Sequence, residues 1–216
     1  MKVLFVSPEV SPIVRTGGLG DVVGSLPIAL NELGADARVL CPMHRVCTQI
    51  SSKKILKSIR FKFGDLLLQG SIWETSLANS NVTIYLLDLP EFYDRPGIYA
   101  DKKGDFPDNP QRAFALCQAA LQINKATDWQ PDIIHAHSRK GADFLGGLAS
   151  RFLSKKSVLS RRVDSIEPKF ISSLIYGLFN KVIAISENIF QIILSQNIDE
   201  KKVFLNIIIF FGCKFF

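Results

Sequence analysis

The chain lacks any apolar run close to the roughly 20 residues that span a bilayer. Its N-terminal segment, residues 1–9 (MKVLFVSPE), becomes polar too early for a secretory signal peptide. Both absences predict a cytoplasmic protein, or a plastid protein if a transit peptide has been removed. Long Lys/Arg runs and interleaved basic and aromatic residues are also missing, which argues against nucleic-acid binding despite a formal net charge of +6.

Cysteine is scarce, since the chain has 4 cysteines and no CxxC pair. Cys41, His44 and Cys47 come closest to a zinc cluster, but no fourth ligand is evident. We therefore expect free thiols in a reducing compartment, with neither a bound metal nor a cofactor. The GxGxxG fingerprint and the P-loop are missing as well, so no nucleotide site is indicated by those motifs.

The N-terminal part of the chain predicts a βαβ unit. Residues 2–7 and 37–41 are short apolar runs that suit strands buried on both faces of a parallel sheet. Between them, residues 21–33 carry apolar side chains at helical spacing, and Gly34 is well placed to end the helix. Pro27 lies inside this pattern and is expected to bend the helix or to delay its start.

Strands and helices continue to alternate along the chain. Further strands are predicted at residues 82–87, 132–136, 157–159 and 181–185, and further helices at residues 110–125, 138–152 and 187–195. Ser138 and Ser186 are the expected N-caps of the last two helices. The hydrophobic fraction of 47% is typical of a globular domain. The pattern predicts an α/β fold with a Rossmann-like, doubly wound and mostly parallel sheet.

Three stretches are less regular. Residues 59–63 and 70–75 are consistent with a hairpin, and residues 203–211 form a final apolar run. Residues 88–109 form a long loop rich in Asp, Pro, Gly and Tyr, and loops of that length in a compact domain are functional or disordered.

A glycine-rich loop, residues 15–20 (RTGGLG), joins the first strand to the first helix. Gly17 and Gly18 allow the backbone to approach a ligand closely, and the helix start directs free N–H groups and a positive dipole end towards the loop. A phosphate would be favoured there, and Arg15 could add a bidentate contact. A tight turn that binds nothing is the alternative.

Residues 1–34 resemble the N-terminus of starch and glycogen synthases, glycosyltransferase family 5. In that family the loop usually reads KTGGLGDV, and its lysine and glycines contact the diphosphate of ADP-glucose. The resemblance therefore implies that a group of residues around the loop binds the substrate: Arg15, Thr16, Gly17, Gly18 and Asp21. Arg15 replaces the lysine, so that a planar fork takes the place of a point charge.

A second segment, residues 93–117, resembles the family's YDRPG…Y…DN..RF stretch, which implies an active-site loop leading into a helix. By this resemblance Tyr93, Arg95 and Asn109 bind substrate. Aromatic rings can stack on sugar faces, and charged groups can bond sugar hydroxyls. A solvated loop held by Asp–Arg pairs is the alternative.

A third segment, residues 129–138 (WQPDIIHAHS), ends a predicted strand with two histidines. His135 and His137 are two residues apart and therefore face one side of the sheet. They lie near the carboxyl edge, where ligands of open α/β sheets bind. His137 is nearer that edge and is the better candidate for substrate binding. A histidine buried in the core is the alternative for each.

Beyond Pro131 the sequence is more similar to glycosyltransferase family 4, through HSRKGAD, VLSRRVD and VIAISE. Arg161 and Arg162 occupy the region where family 5 enzymes have a TIHN-like strand end. Arg161 is a candidate for holding a phosphorylated or acidic acceptor, and a solvated surface pair is the alternative. Both families share the two-domain GT-B architecture, with most donor contacts in the C-terminal domain.

Together, the resemblances imply that residues 1–205 form the N-terminal Rossmann-like domain of a GT-B glucosyltransferase. Enzymes of the starch and glycogen synthase type transfer glucose from ADP-glucose to the non-reducing end of an α-1,4-glucan, with retention. Residues 206–216 are predicted to be an irregular apolar tail. The C-terminal donor-binding domain, which holds most catalytic residues in these families, is expected to be absent, and the chain alone is expected to be inactive.

Two other functions remain open at this point. One is a family 4 type transferase that acts on a lipid-linked or lipopolysaccharide acceptor. The other is a non-catalytic glucan-binding module or a degenerate gene product.

Overall fold

The computed structural model describes residues 1–138, 142–166 and 168–205. Within these residues the main sheet has nine strands. In chain order they are β1 (Lys2–Val6), β2 (Asp36–Pro42), β3 (Lys53–Phe63), β4 (Leu66–Ser76), β5 (Thr83–Asp88), β8 (Ile133–Ser138), β9 (Lys156–Arg161), β10 (Lys181–Ala184) and β11 (Val203–Leu205). Strands β6 (Ala100–Asp101) and β7 (Gly104–Asp105) form a separate small ribbon.

Helices connect most of the strands. They are α1 (Gly18–Glu32), α2 (Pro90–Tyr93), α3 (Asn109–Ala126), α4 (Ala142–Phe152), α5 (Lys169–Leu178) and α6 (Glu187–Ser195). Two short 3₁₀ turns, Arg45–Gln49 and Glu200–Lys202, complete the described elements. None of these helices has both the length and the apolar character that crossing a bilayer requires.

The sheet runs in the order β11-β10-β9-β8-β1-β2-β5-β4-β3. The pairs from β11 to β5 are parallel, whereas β4 and β3 are antiparallel additions at one edge. This arrangement confirms the predicted α/β fold with a mostly parallel sheet. The hairpin expected at residues 59–63 and 70–75 exists as β3 and β4, and both strands are longer than predicted.

Both faces of the sheet are buried, as the apolar run in β1 predicts. Successive side chains of a strand point to opposite faces. Leu4 accordingly packs in a cluster with residues of α3, and its neighbours Val3 and Phe5 pack in a second cluster that includes Val23 of α1. A third cluster joins β9 and β10 to α5 and α6.

Helix α1 ends as predicted but begins earlier. Gly34 has a φ of 83°, and its N–H donates to the carbonyl of Asn31, so it ends the helix in the left-handed conformation that glycine favours. The helix starts at Gly18 and continues through Pro27. The expectation that Pro27 delays the start is therefore wrong. Pro27 is buried, and burial of its ring offsets the one helical hydrogen bond that proline lacks.

Of the two N-caps predicted from the sequence, the structure tests one. The N-cap at Ser186 is confirmed, because its side chain accepts from the N–H of Ile189. The cap predicted at Ser138 is untested, since that residue ends β8 and residues 139–141 lie outside the described residues. Strand β11 forms the start of the final apolar run. Residues 206–216, predicted to be an irregular apolar tail, lie outside the described residues.

No helix was predicted at Lys169–Leu178, where the structure has α5. Its buried face includes Ile175 and Tyr176, while Phe170, Ile171 and Leu174 are exposed. Apolar side chains therefore occur on both the exposed and the buried side, yet they recur at helical spacing at Phe170, Ile171, Leu174 and Ile175, so the local signal of a helix is present.

Strand β1 marks the point where the strand order reverses. The chain runs from β1 outwards through β2 to β5, and later from β8 outwards to β11 on the other side. The carboxyl ends of β1 and β8 are therefore neighbours at a topological switch point, where open α/β sheets bind ligands.

Candidate functional site

An open cleft of about 540 Å³ lies at the carboxyl edge of the sheet beside this switch point. Pro8 and Leu19 line it from the segment after β1, and Tyr99 and Asn109 line it from the long loop after β5. Residues 163–165, which follow β9, close a further side. The cleft thus brings together two of the three segments that the sequence singled out, the first and the second, whereas none of the described residues of the third, 129–138, lines it.

Part of the glycine-rich loop is engaged by a buried carboxylate rather than open to a ligand. Glu9 is 2% exposed. Its side chain accepts from the backbone N–H of Thr16 at 2.6 Å and of Gly17 at 3.3 Å, and from Thr16 Oγ1 at 2.7 Å. The structure therefore differs from the expectation that the amide of Gly17 faces a phosphate, because the anion next to it belongs to the protein itself.

The backbone N–H groups of Gly18 and Leu19, unlike those of Thr16 and Gly17, are not bonded to Glu9. Gly17 is the N-cap of α1 and supplies no side-chain cap. Within the described residues, no acceptor contacts the N–H groups of Gly18 and Leu19. A Cβ atom at Gly18 would meet nothing within 4 Å, so this position is open. The positive end of the α1 dipole and two free donors thus form an exposed place for an anion.

Arg15 lies beside this helix start. Its Nε donates to Asp21 Oδ1 at 2.8 Å, and its side chain is 59% exposed. Asp21 lies in the first turn of α1, where a negative charge interacts favourably with the helix dipole. An exposed ion pair of this kind is weak, so Arg15 can exchange Asp21 for another anion. Substrate binding by Arg15, Thr16, Gly17, Gly18 and Asp21 stays a prediction.

The predicted residues of the long loop mainly hold that loop together. Arg95 forms two hydrogen bonds with the carboxylate of Asp108, at 2.8 and 2.6 Å. Asn109 Nδ2 donates to the carbonyl of Tyr99 at 2.9 Å. Tyr93 is buried and donates its hydroxyl to the carbonyl of Arg112 at 2.7 Å, and burial raises its pKa. The Asp–Arg pair weighed from the sequence is present, and Tyr93 and Asn109 also line the cleft.

Two further cleft residues were not selected from the sequence. Arg112 is 5% exposed, donates to Asn109 Oδ1 at 2.6 Å, and lies over the ring of Tyr93 with its Cζ 5.3 Å from the ring centroid. His44 packs edge-on against Tyr93 at 5.5 Å between ring centroids, and its Nε2 lies 3.1 Å from the carbonyl oxygen of Pro8. Burial, with the nearby Arg112, lowers the pKa of His44 to about 4. His44 was weighed only as a zinc ligand, and Arg112 only as part of a motif.

The two histidines of β8 face one side of the sheet, as their spacing predicts. Their ring centroids are 4.1 Å apart, and the ring of Phe5 stacks on His137 at 5.4 Å. His135 Nε2 lies 2.9 Å from Ser160 Oγ, while neither ring nitrogen of His137 has a partner among the described residues. Burial, with the nearby Arg162, lowers the pKa of His135 to about 3.

His137 lies beneath the cleft rather than in it. It is 1% exposed and lines a separate cavity of about 20 Å³ together with Pro8 and Leu116, which also line the main cleft. Burial holds its pKa well below the ordinary value, so its ring is neutral at pH 7. The structure therefore favours the buried alternative for its environment, and its role in substrate binding stays a prediction.

The two arginines at the end of β9, Arg161 in its last position and Arg162 directly after it, have different partners. Arg161 is 2% exposed, and its guanidinium donates to the carbonyls of Val163 at 2.9 Å and Ser165 at 2.6 Å. It is not a solvated surface residue, because it fixes the turn that closes one side of the cleft. Arg162 is half-buried, and its Nη1 lies 3.5 Å from the carbonyl of Gly18. Of the two, Arg162 is therefore the one next to the start of α1.

These features define a Rossmann-like α/β domain with an open cleft at a topological switch point. The sequence model of the starch synthase catalytic domain family matches residues 2–160, and the chain therefore belongs to that family. The match continues beyond Pro131, where the resemblance to family 5 was expected to weaken. The similarity of the later segments to family 4 stays a prediction.

Known relatives agree with this assignment. Glycogen synthase 2 of Geobacter sulfurreducens is 39% identical over 139 residues, which cover 63% of this chain and 28% of that protein. The glycogen synthase of Roseobacter denitrificans is 41% identical over 159 residues, which cover 71% of this chain and 31% of that protein. The chain thus spans less than a third of the length of these relatives.

A solved structure confirms the fold. The catalytic domain of starch synthase IV from Arabidopsis thaliana, bound to ADP and acarbose, matches with a TM-score of 0.73 and 18% sequence identity. The match covers 95% of this chain and 51% of that chain. The chain therefore has the α/β fold found in GT-B glycosyltransferases.

Proposed function

We propose that the chain serves glucosyl transfer of the glycogen or starch synthase type in the cytoplasm. The donor in this proposal is ADP-glucose, and the acceptor is the non-reducing end of an α-1,4-glucan, with retention of configuration. Family membership supports the reaction class. The glycogen synthases among its relatives support the glucan, and the ADP in the Arabidopsis thaliana structure supports a nucleotide donor.

One observation carries the proposal: an uncapped helix start and an aromatic-lined cleft adjoin each other at the switch point. The free N–H groups of Gly18 and Leu19, with Arg15 beside them, suit a diphosphate. The cleft offers rings and hydrogen-bonding groups from Tyr93, Tyr99 and Asn109, which suit a sugar chain. Leu19 belongs to both regions, so a donor and an acceptor bound there would be neighbours.

We expect this polypeptide to bind the glucan acceptor without transferring glucose to it. Departure of the nucleotide requires charge stabilisation around the donor. Among the described residues, that stabilisation would come from the start of α1, Arg15 and the half-buried Arg162. A polypeptide of these 216 residues should therefore bind glucan but transfer glucose negligibly.

The experiment is incorporation of radiolabelled glucose from ADP-glucose into glycogen by the purified polypeptide, together with a maltohexaose titration of the same sample. Binding of maltohexaose with label incorporation no greater than in a heat-denatured control is the expected result. A cello-oligosaccharide of the same length serves as the control for α-1,4 linkage. Measurable polymer growth, or failure to prefer maltohexaose, would contradict the proposal.

A further inference from the structure

Glu9 connects two loops that are distant in sequence. Its Oε2 accepts from the N–H groups of Thr16 and Gly17, in the glycine-rich loop. Its Oε1 accepts from Thr16 Oγ1 and from the hydroxyl of Tyr99, each at 2.7 Å. Tyr99 lies 90 residues further along the chain and lines the cleft. A single carboxylate is thus shared between the two regions of the site.

The backbone of Glu9 is fixed next to the sheet, independently of the two loops that its carboxylate contacts. Glu9 follows β1 closely, and Ser7 fixes its backbone: Ser7 Oγ donates to the carbonyl of Glu9 at 2.8 Å and accepts from its N–H at 3.2 Å. The N–H of Ser7 in turn donates to the carbonyl of Leu40 in β2. Glu9 is therefore an anchor of fixed position to which both loops attach.

The loop that carries Tyr99 is also braced at that residue. Its carbonyl accepts from the N–H of Phe106 at 2.9 Å and from Asn109 Nδ2 at 2.9 Å. Asn109 is in turn bonded by Arg112. A displacement of Tyr99 is consequently transmitted to the start of α3 on one side and to Glu9 on the other.

A buried carboxylate is costly unless donors surround it, and Glu9 has four. Loss of the Tyr99 hydroxyl leaves Oε1 with one donor, while loss of the loop amides leaves Oε2 with none. Each loop is therefore most stable when the other also contacts Glu9. Burial lowers the pKa of the Arg162 guanidinium, and the negative charge of Glu9 offsets part of that effect.

We propose that Glu9 is a positioning residue that couples occupation of the cleft to the conformation of the glycine-rich loop. A ligand that orders Tyr99 strengthens the hold of Glu9 on Thr16 and Gly17, and this places the free amides of Gly18 and Leu19 for an anion. Assigning the two ligands as a glucan and a nucleotide diphosphate rests on the proposed function. The positioning of the loop by Glu9 does not.

Two substitutions separate hydrogen bonding from charge. Glu9→Ala removes every acceptor. Glu9→Gln can keep all four contacts, because its carbonyl accepts from both backbone amides while its NH₂ group donates to the hydroxyls of Thr16 and Tyr99. A third substitution, Tyr99→Phe, removes only the hydrogen bond from the cleft residue Tyr99 to Glu9. The amides of Thr16 and Gly17 stay bonded to Glu9.

Hydrogen exchange without ligand tests the positioning. The amides of Thr16 and Gly17 should exchange at least about tenfold faster in Glu9→Ala, since a charge-assisted hydrogen bond to each is lost. In Glu9→Gln their rates should stay close to those of the unaltered chain, and strand β1 should stay protected in both. Unchanged exchange in Glu9→Ala, or equal acceleration in both variants, would overturn the inference whatever the protein binds.

Ligand titrations test the coupling. Saturating maltohexaose should tighten the binding of ADP by about threefold or more in the unaltered chain and in Glu9→Gln. This effect should be lost in Tyr99→Phe. An equal effect in the unaltered chain and in Tyr99→Phe would overturn the coupling. If neither ligand binds, the proposed function fails, while the exchange experiment still decides the role of Glu9.

Discussion

Acidification from pH 7 to pH 5 is expected to lower the free energy of unfolding by about 4 kcal/mol, at about 2 kcal/mol for each of the buried histidines His44 and His135, and His137 adds to the loss in the same direction. The chain has 3 histidines, His44, His135 and His137, and each is at most 5% exposed. Domains of this kind are stable by only about 5–15 kcal/mol. Mild acid should therefore remove much of the stability of this fold.

The sign follows from the depressed pKa values. In the unfolded chain a histidine has a pKa of about 6.5. Burial lowers the folded-state pKa to about 4 for His44 and about 3 for His135, and well below the ordinary value for His137. Above pH 6.5 neither state is protonated, so stability is full. As the pH falls below 6.5 the unfolded chain binds protons that the folded chain does not, and stability declines until the folded-state pKa is reached.

Urea unfolding at pH 7 and pH 5, followed by circular dichroism, measures this effect. His44→Gln is a suitable control, because a glutamine amide can still donate to the carbonyl of Pro8 but does not titrate. The difference between the two pH values should shrink by about 2 kcal/mol in this variant. Equal stability of the unaltered chain at pH 7 and pH 5 would show that the histidines are not buried as neutral groups.

Gly97→Ala is expected to destabilise the fold by about 2–3 kcal/mol and to weaken maltohexaose binding by at least about tenfold. A Cβ atom at this position would lie 1.8 Å from the carbonyl oxygen of Ala100. That distance is far inside any allowed contact, and the atom it meets belongs to the backbone. The turn from Gly97 to Ala100, which contains Tyr99, must therefore open, and this separates the Tyr99 hydroxyl from Glu9.

Gly177→Ala is the matched control for this substitution. It lies in α5, away from the cleft, and a Cβ atom there would meet nothing within 4 Å. Because alanine favours helix over glycine, this variant should be at least as stable as the unaltered chain. Chemical denaturation and a maltohexaose titration of both variants check the prediction. Unaltered glucan binding in Gly97→Ala would show that the turn does not position the cleft.

The sequence predicts the fold well because the relevant signals are local. Apolar runs such as residues 2–7 identify strands that are buried on both faces, and Ser186 identifies a helix start through its own side chain. Gly34 does the same for a helix end. Helix α5 was not predicted although its apolar residues recur at helical spacing, so a missing local signal does not explain this difference.

The site was predicted only in outline, since its contacts depend on tertiary structure. The sequence indicates that residues 15–18 suit an anion, but not that Glu9 already occupies the amides of Thr16 and Gly17. The Tyr99 hydroxyl reaches Glu9 across 90 residues, and no local pattern encodes that distance. Likewise, adjacent side chains at a strand end leave in different directions, so that Arg161 turns inward while Arg162 approaches Gly18.

The central claim is that the open start of α1 binds a nucleotide diphosphate. Titration of ADP into the unaltered chain and into Gly18→Ala, by calorimetry, tests it most directly. The added methyl group meets no protein atom within 4 Å, so the thermal midpoint should not fall. It would nevertheless obstruct an anion on the amides of Gly18 and Leu19, and the affinity for ADP should drop by at least about tenfold. Equal affinity in both proteins, or no binding of ADP by the unaltered chain, would contradict the claim.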